Sequence, residues 1–297
     1  MRKAFLLGAG LGTRLRPMTE TLPKPLIPFR NRPLITHVMD RCLQAGITDI
    51  AINTHHLPEA WPATFPDRTY RGATLTFFHE PELLETGGGI KNIASWIGED
   101  PVLVYNGDII SDLPLDRLMT THMAGNNLAT LAVRDSGPQL HLTVKGPQVQ
   151  DIGKGGTHQF TGVYCIDPEI LSLIPENRKV SVIPAFRELI SRQRLGAYHL
   201  KGDPLWLDLG TRSSYLEASF SAAPSDRDPL IHPKAQVADG AHPEDSWVGE
   251  RAVIEPGAKL SGCLIWPGAH VMADAELTNC VVHTTSPVSG IHRDADL

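Results

Sequence analysis

Cysteine is scarce in this 297-residue chain: four residues, with no C-x-x-C pair among them. That excludes a disulfide-stapled secreted scaffold and a zinc ribbon, so Cys42, Cys165, Cys263 and Cys280 read as small core residues in a reducing compartment. Long apolar runs are missing too, since nothing approaches the roughly 18–20 residues that a membrane span needs. Arg2 and Lys3 precede the short apolar run Ala4–Leu7, but Gly8, Gly10 and Gly12 break it before Arg14, which argues against a signal peptide. Nor is there a basic excess: 27 Lys and Arg stand against 33 Asp and Glu, for a net charge of −6. Most of that charge lies beyond Pro229, where four Lys and Arg meet nine Asp and Glu. Such a surface excludes nucleic acid as a general partner, because phosphate backbones need clustered cations. A cytoplasmic globular protein, neither membrane-bound nor nucleic-acid-binding, is the expectation.

Through about residue 220, short apolar runs alternate with helical patterns, which predicts an α/β fold: a Rossmann-like, mixed but largely parallel sheet with flanking helices. Strands are expected at Lys3–Leu7, Asp49–Asn53, Thr74–His79, Val102–Tyr105, Leu128–Val133, Thr161–Ile166 and Ala197–Leu200. Leu34, Ile35, Val38, Met39, Cys42 and Leu43 mark one apolar helix face, closed by Gly46, and a second helix is expected over Ile90–Ile97.

The tail changes period. Ile231, Val248, Ile265 and Val282 recur every 17 residues, as do Val237, Ile254, Val271 and Val288. Pro243, Leu260 and Leu277 form a third row, and Ala235, Ala252 and Ala269 a fourth. Inward positions fall at offsets of 6, 6 and 5 within each period, the pattern of a coil with three short strands per turn. It resembles the hexapeptide-repeat left-handed β-helix with one shortened side. The expected domains are therefore 1–222, a linker over 223–229, and about three coils over 230–297.

The chemistry is concentrated at the start. A buried strand runs into Leu7-Gly8-Ala9-Gly10-Leu11-Gly12-Thr13-Arg14, and Pro23-Lys24-Pro25 follows. Glycines let backbone N–H groups approach a phosphate chain, and Arg14 and Lys24 supply charge for an oligophosphate that becomes more anionic as it leaves. A nucleoside triphosphate is the natural guest. Neither the Rossmann Gly-x-Gly-x-x-Gly nor the phosphate-loop Gly-Lys-Ser/Thr occurs here. Three glycines, Gly87–Gly89, precede the expected helix and would leave N–H groups free at its N-terminus for a nucleotide edge or an anion. Asn106-Gly107-Asp108 places a carboxylate at the end of an apolar strand, and Trp206-Leu207-Asp208 supplies another far along the chain. Two such acids brought together make a Mg²⁺ site with few protein ligands, its other positions left to phosphate oxygens and water.

Gly10-Leu11-Gly12-Thr13-Arg14-Leu15-Arg16-Pro17-Met18-Thr19, with Pro23-Lys24-Pro25 beyond it, resembles the opening signature of the sugar-1-phosphate nucleotidyltransferases, Met18 replacing the usual leucine. Glu85-Thr86-Gly87-Gly88-Gly89-Ile90, Trp206–Thr211 and Phe160–Tyr164 extend the resemblance. It implies that Leu7, Gly8, Ala9, Gly10, Gly12 and Thr13 wrap the base and phosphates, that Arg14 holds the departing pyrophosphate, and that Lys24 sits over the phosphates. Gly87 and Gly88 would meet the nucleotide, Glu85, Asn106 and Gly162 the sugar, and Asp108 and Asp208 the Mg²⁺. The family's Glu-Lys-Pro segment, whose lysine contacts the sugar phosphate, is absent, leaving Lys145 and Lys154 as candidates for that role. The glycine motif points to UTP and N-acetylmuramic acid 1-phosphate, and the coiled tail to GTP and mannose 1-phosphate. The alternative is a non-catalytic regulatory or scaffold subunit that binds nucleotide sugar. Self-association through the coiled tail is also expected.

Overall fold

The computed structural model describes residues 1–202, 204–221 and 228–297; the expected linker falls mostly on 222–227, outside the described residues. By compactness the chain forms two units, one of 1–11 with 35–208, the other of 12–34 with 209–297.

The first unit is built on a ten-stranded sheet. In chain order its strands are β1 (Lys3–Leu7), β2 (Asp49–Thr54), β3 (Thr69–Tyr70), β4 (Ala73–His79), β5 (Val102–Asn106), β7 (Ala129–Arg134), β8 (Leu142–Lys145), β9 (Gln148–Ile152), β10 (Gln159–Ile166) and β11 (Leu195–His199). The missing number, β6 (Ile109–Ser111), pairs outside this sheet with β12 (Trp206–Asp208). Spatially the order is β8-β9-β11-β7-β10-β5-β1-β2-β4-β3. The centre is parallel, with β5, β2 and β4 ranged about β1, while β10 runs antiparallel between β5 and β7. Phe5, Leu6, Ile50, Ile52, Leu103 and Val104 are fully buried, the near-continuous apolar composition of strands covered on both faces.

Helix α1 (Leu34–Gln44) buries the stripe Leu34, Ile35, Val38, Met39 and Cys42, and Gly46 follows with φ +85. Helix α2 departs from expectation. It spans Glu85–Asn92, so the three glycines lie inside it rather than ahead of it. They are tolerated there because neighbouring backbone comes too close for side chains: a Cβ on Gly88 would stand 2.5 Å from the Arg178 carbonyl oxygen. The β8–β9 hairpin, the β6–β12 pair and β3 were not read from the sequence, being short or weakly apolar.

The tail is a three-sided parallel β-helix. One face stacks Trp247-Val248 on Leu264-Ile265 on Val281-Val282, and a second aligns Val237, Ile254 and Val271, with Val288 bridged to the last. The third pairs Pro243, Leu260 and Leu277 in register, then closes on His292. Every row read from the 17-residue period is thus a stack of neighbouring coils. Cys263 and Cys280 lie fully buried within it, their thiols donating to Ser261 and Thr278 carbonyls, and burial pushes the Cys263 thiol up to about 11.

Within this second unit, helix α3 (Arg212–Phe220) joins the coils to the N-terminal segment. Its Arg212 donates to Asp296 at 2.6 Å and to the Asn279 carbonyl. Tyr215 accepts from Trp266 Nε1 at 3.1 Å and donates to the Pro28 carbonyl.

Candidate active site

Strand β1 lies between β2 and β5, with Leu7 opposite both Asn53 and Asn106. Three chain segments therefore end together at the carboxyl edge of the sheet, where open α/β sheets collect ligands. The glycine-rich turn leaves from β1, and Gly107-Asp108 leaves from β5. Gly107 donates its N–H to the Leu7 carbonyl at 3.0 Å, which tucks the Asp108 turn under the end of β1.

Asp208 joins Asp108 through the β6–β12 ladder. Strand β6 begins one residue after Asp108, and Ile109 stands directly opposite Asp208. The backbones of the two aspartates, a hundred residues apart in sequence, are thereby brought next to one another, Asp208 within the ladder and Asp108 just ahead of it. Asp108 is half-buried and Asp208 exposed. Trp206 fixes this ladder to the main sheet: its indole N–H donates to the Thr161 carbonyl at 2.8 Å, and the Arg134 guanidinium lies 5.5 Å over its ring. Thr161 belongs to a β-bulge in β10, where the register against β7 slips between Phe160 and Tyr164.

Gly162 sits in that bulge at φ +77, and a Cβ there would lie 2.6 Å from Asn106 Nδ2 and 2.7 Å from Ile109 Cδ1. The space beside this glycine is filled by Asn106 and Ile109, so Gly162 makes room for those side chains. Two other glycines have backbone amides that are already engaged. The Gly8 N–H is not free for a phosphate, because it donates to Asn53 Oδ1 at 2.8 Å. The Gly88 N–H donates to the Val180 carbonyl at 2.9 Å. Gly10, by contrast, is exposed with open space beside it, and Ala9 is buried. Gly88 also borders a cleft of about 480 Å³ with His79, Glu80, Lys91 and Asn177. Glu85 opens α2 at φ +61, a left-handed conformation costly for an L side chain, with that side chain exposed.

Gly12, Thr13, Arg14 and Lys24 belong to the second unit. Gly12, at φ +63, precedes a 3-10 turn over Thr13–Leu15; Thr13 and Arg14 are exposed while Leu15 is buried as the anchor. A Cβ on Gly12 would stand 3.1 Å from Lys24 Cβ, so the two segments touch, and Thr19 Oγ1 donates to the Gly12 carbonyl. Pro23-Lys24-Pro25 forms part of another 3-10 turn, with Lys24 only 7% exposed. Lys145 lies on β8 at the far end of the sheet order, with four strands between it and β5, and Lys154 lies in an exposed turn after β9. Neither is drawn toward the aspartate ladder by any contact of its own.

The Nucleotidyl transferase family matches residues 3–141. Over 291 residues the chain is 31% identical to a mannose-1-phosphate guanylyltransferase of Mycobacterium tuberculosis, covering 91% of this chain and 81% of that one. A mannose-1-phosphate guanyltransferase of Eremothecium gossypii is 32% identical, with 88% and 73% covered. The chain belongs to the sugar-1-phosphate nucleotidyltransferase family. A solved UDP-glucose pyrophosphorylase in complex with UDP-glucose shares the fold, at a TM-score of 0.65 and 21% identity over 74% of this chain and 98% of that one. As a sugar-1-phosphate nucleotidyltransferase, the protein moves a nucleoside monophosphate from a triphosphate onto a sugar 1-phosphate.

Enzymes of this family generally use a divalent metal. Among the described residues no group of three or more His, Cys, Asp and Glu is arranged to hold one. Two aspartates with neighbouring backbones, Asp108 half-buried and Asp208 exposed, are a donor set of the kind Mg²⁺ takes, since it keeps several waters and binds through one or two carboxylates plus substrate phosphates. Among the described residues, no helix is long and apolar enough to cross a membrane.

Sequence reasoning missed Asn53, Glu80 and Arg134. The available signal was a polar or charged residue placed at the end of an apolar strand, which was read at Asp108 and Asp208 but not at these three positions.

Proposed function

We propose that the protein transfers GMP from GTP to mannose 1-phosphate, releasing pyrophosphate. The likeness to guanylyltransferases over some nine-tenths of the chain, coiled tail included, carries this reading. In it, Asp108 and Asp208 hold Mg²⁺, which would offset the phosphates' negative charge. The sugar phosphate is already anionic near neutral pH and needs no general base. Its oxygen attacks the α-phosphorus in line, the bond to the bridging oxygen breaks, and the electron pair leaves with pyrophosphate. Arg14 and Lys24 supply positive charge to the triphosphate and leaving group. Leu7, Gly8, Ala9, Gly10, Gly12, Thr13, Gly87 and Gly88 shape the nucleotide's surroundings, while Glu85, Asn106 and Gly162 border the sugar, Gly162 acting through Asn106. The strained Glu85 backbone supports its place in that set.

The Glu85–Ile90 motif favours a second reading, UTP with N-acetylmuramic acid 1-phosphate. Pyrophosphate release with Mg²⁺ across GTP, UTP, TTP and ATP, each with mannose, glucose or N-acetylmuramic acid 1-phosphate, separates the two. GTP with mannose 1-phosphate is expected to be fastest. Dominance of the uridylyl pair installs the second reading, and no release with any pair returns the protein to a nucleotide-sugar-binding subunit. Self-association through the coiled tail and a cytoplasmic location belong to the same proposal, the four buried free cysteines suiting a reducing compartment. Light scattering on the full chain that returned a monomer mass would remove the first of these.

A further inference from the structure

Between the two glycine motifs lies a buried polar chain that no substrate role accounts for. Asn53 at the end of β2 is 3% exposed and Glu80, just past the end of β4, is 0% exposed. Asn53 Oδ1 accepts the Gly8 N–H at 2.8 Å, and Asn53 Nδ2 donates to Glu80 Oε1 at 2.8 Å. Glu80 Oε2 accepts the Leu84 N–H at 2.9 Å, just ahead of α2. Gly89 of α2 packs directly on the pair, for a Cβ there would lie 3.0 Å from Glu80 Oε1 and 3.1 Å from Asn53 Nδ2. The Gly8 turn and helix α2 are thus tied to one another through two side chains.

Both ends of this chain are backbone N–H groups, which can only donate. Each end therefore needs an acceptor, and the middle link needs one donor facing one acceptor. One amide and one carboxylate satisfy this in either order. Two amides oppose donor to donor at some link, and two carboxylates oppose acceptor to acceptor in the middle. In a site closed to water such a mismatch is expensive.

We propose that Asn53 and Glu80 are positioning residues for the nucleoside triphosphate: by turning the Gly8 amide inward, they set the curvature of the turn through Gly10 and its register against α2. This rests on the reading of the glycine turn as the triphosphate's seat. It assigns them no contact with substrate.

The test is a polarity swap. Asn53→Asp alone makes two carboxylates, Glu80→Gln alone makes two amides, and the double variant restores one of each with the order reversed. Each single variant is expected to raise KM for the triphosphate about tenfold, the scale of one unsatisfied buried polar group, leaving KM for the sugar phosphate and kcat within about twofold. The double variant should return the triphosphate KM to within about twofold of the wild type. A purely structural role would lower the melting temperature without this split. Singles with an unchanged triphosphate KM, or a double no better than the worse single, would overturn the proposal. Amide hydrogen exchange on the wild-type chain gives a readout independent of turnover and of variant folding. Gly8 should be strongly protected and Gly10 not. Equal exchange at the two refutes the tie even if the enzyme turns over, and protection at Gly8 in a protein that releases no pyrophosphate would instead indict the proposed reaction.

Discussion

The coiled tail and the strand ends of the first unit are held together by opposite means. In the tail, the interior is a ladder of Val, Ile, Leu, Ala and Cys rows, each residue resting on its equivalent one coil away. Such stacking is additive and tolerant, because every coil contributes a similar small share. At the strand ends, each contact occurs once: Trp206 on Thr161, Gly162 against Asn106, Gly107 on Leu7, Asn53 between Gly8 and Glu80. Polar and steric contacts of that kind fix atoms closely and have no neighbour to substitute for them. Repetition supports a shape, whereas single contacts support a chemistry.

The comparison is broken most sharply by separating activity from stability. Asp108→Asn keeps the volume and removes the charge, so turnover should fall by about 10²–10³-fold while the melting temperature barely moves. A variant that lost stability in proportion to activity would place Asp108 among structural residues. Ile265→Ala in the middle coil should do the reverse, costing about 2–4 kcal/mol in denaturant unfolding with the kinetic constants of the folded enzyme unchanged. Gly162→Ala should do both. Its φ of +77 and the approach to Asn106 predict about 2 kcal/mol of destabilisation together with a raised KM for the sugar phosphate. An alanine variant with wild-type kinetics would show that Asn106 has no part in the sugar site. The smallest effect belongs to Trp266→Phe, which removes one hydrogen bond to Tyr215. About 1 kcal/mol is expected from thermal melts, and a null result would mean that the Trp266–Tyr215 bond adds nothing to the Arg212 and Tyr215–Pro28 contacts at that junction.

These regions also differ in how far they were legible beforehand. The coils could be read row by row, because a fixed period records itself in the spacing of apolar residues. The central strands and the Asp108 and Asp208 motifs were visible for similar reasons, each being a local pattern. Glu85–Asn92 was misread, since three glycines in a row signal a turn unless their surroundings are known, and Arg178 and Val180 come from ninety residues downstream. Glu80 was hidden for a different reason: a lone acid before Pro81 carries no mark of its burial, and its partner Asn53 lies on another strand.

Sequence alone was enough to establish the α/β core, the three-sided coil, the glycine turn with its two following cations, and a pair of aspartates near strand ends. Periodicity and short motifs act within a few residues, so they survive translation into one dimension. Only the tertiary structure decided that Ile109 faces Asp208, that the Gly8 and Gly88 amides are already engaged, and that helix α3 joins Pro28 to Trp266. Those facts depend on which distant segments meet, and buried donors take whichever acceptor the packing delivers.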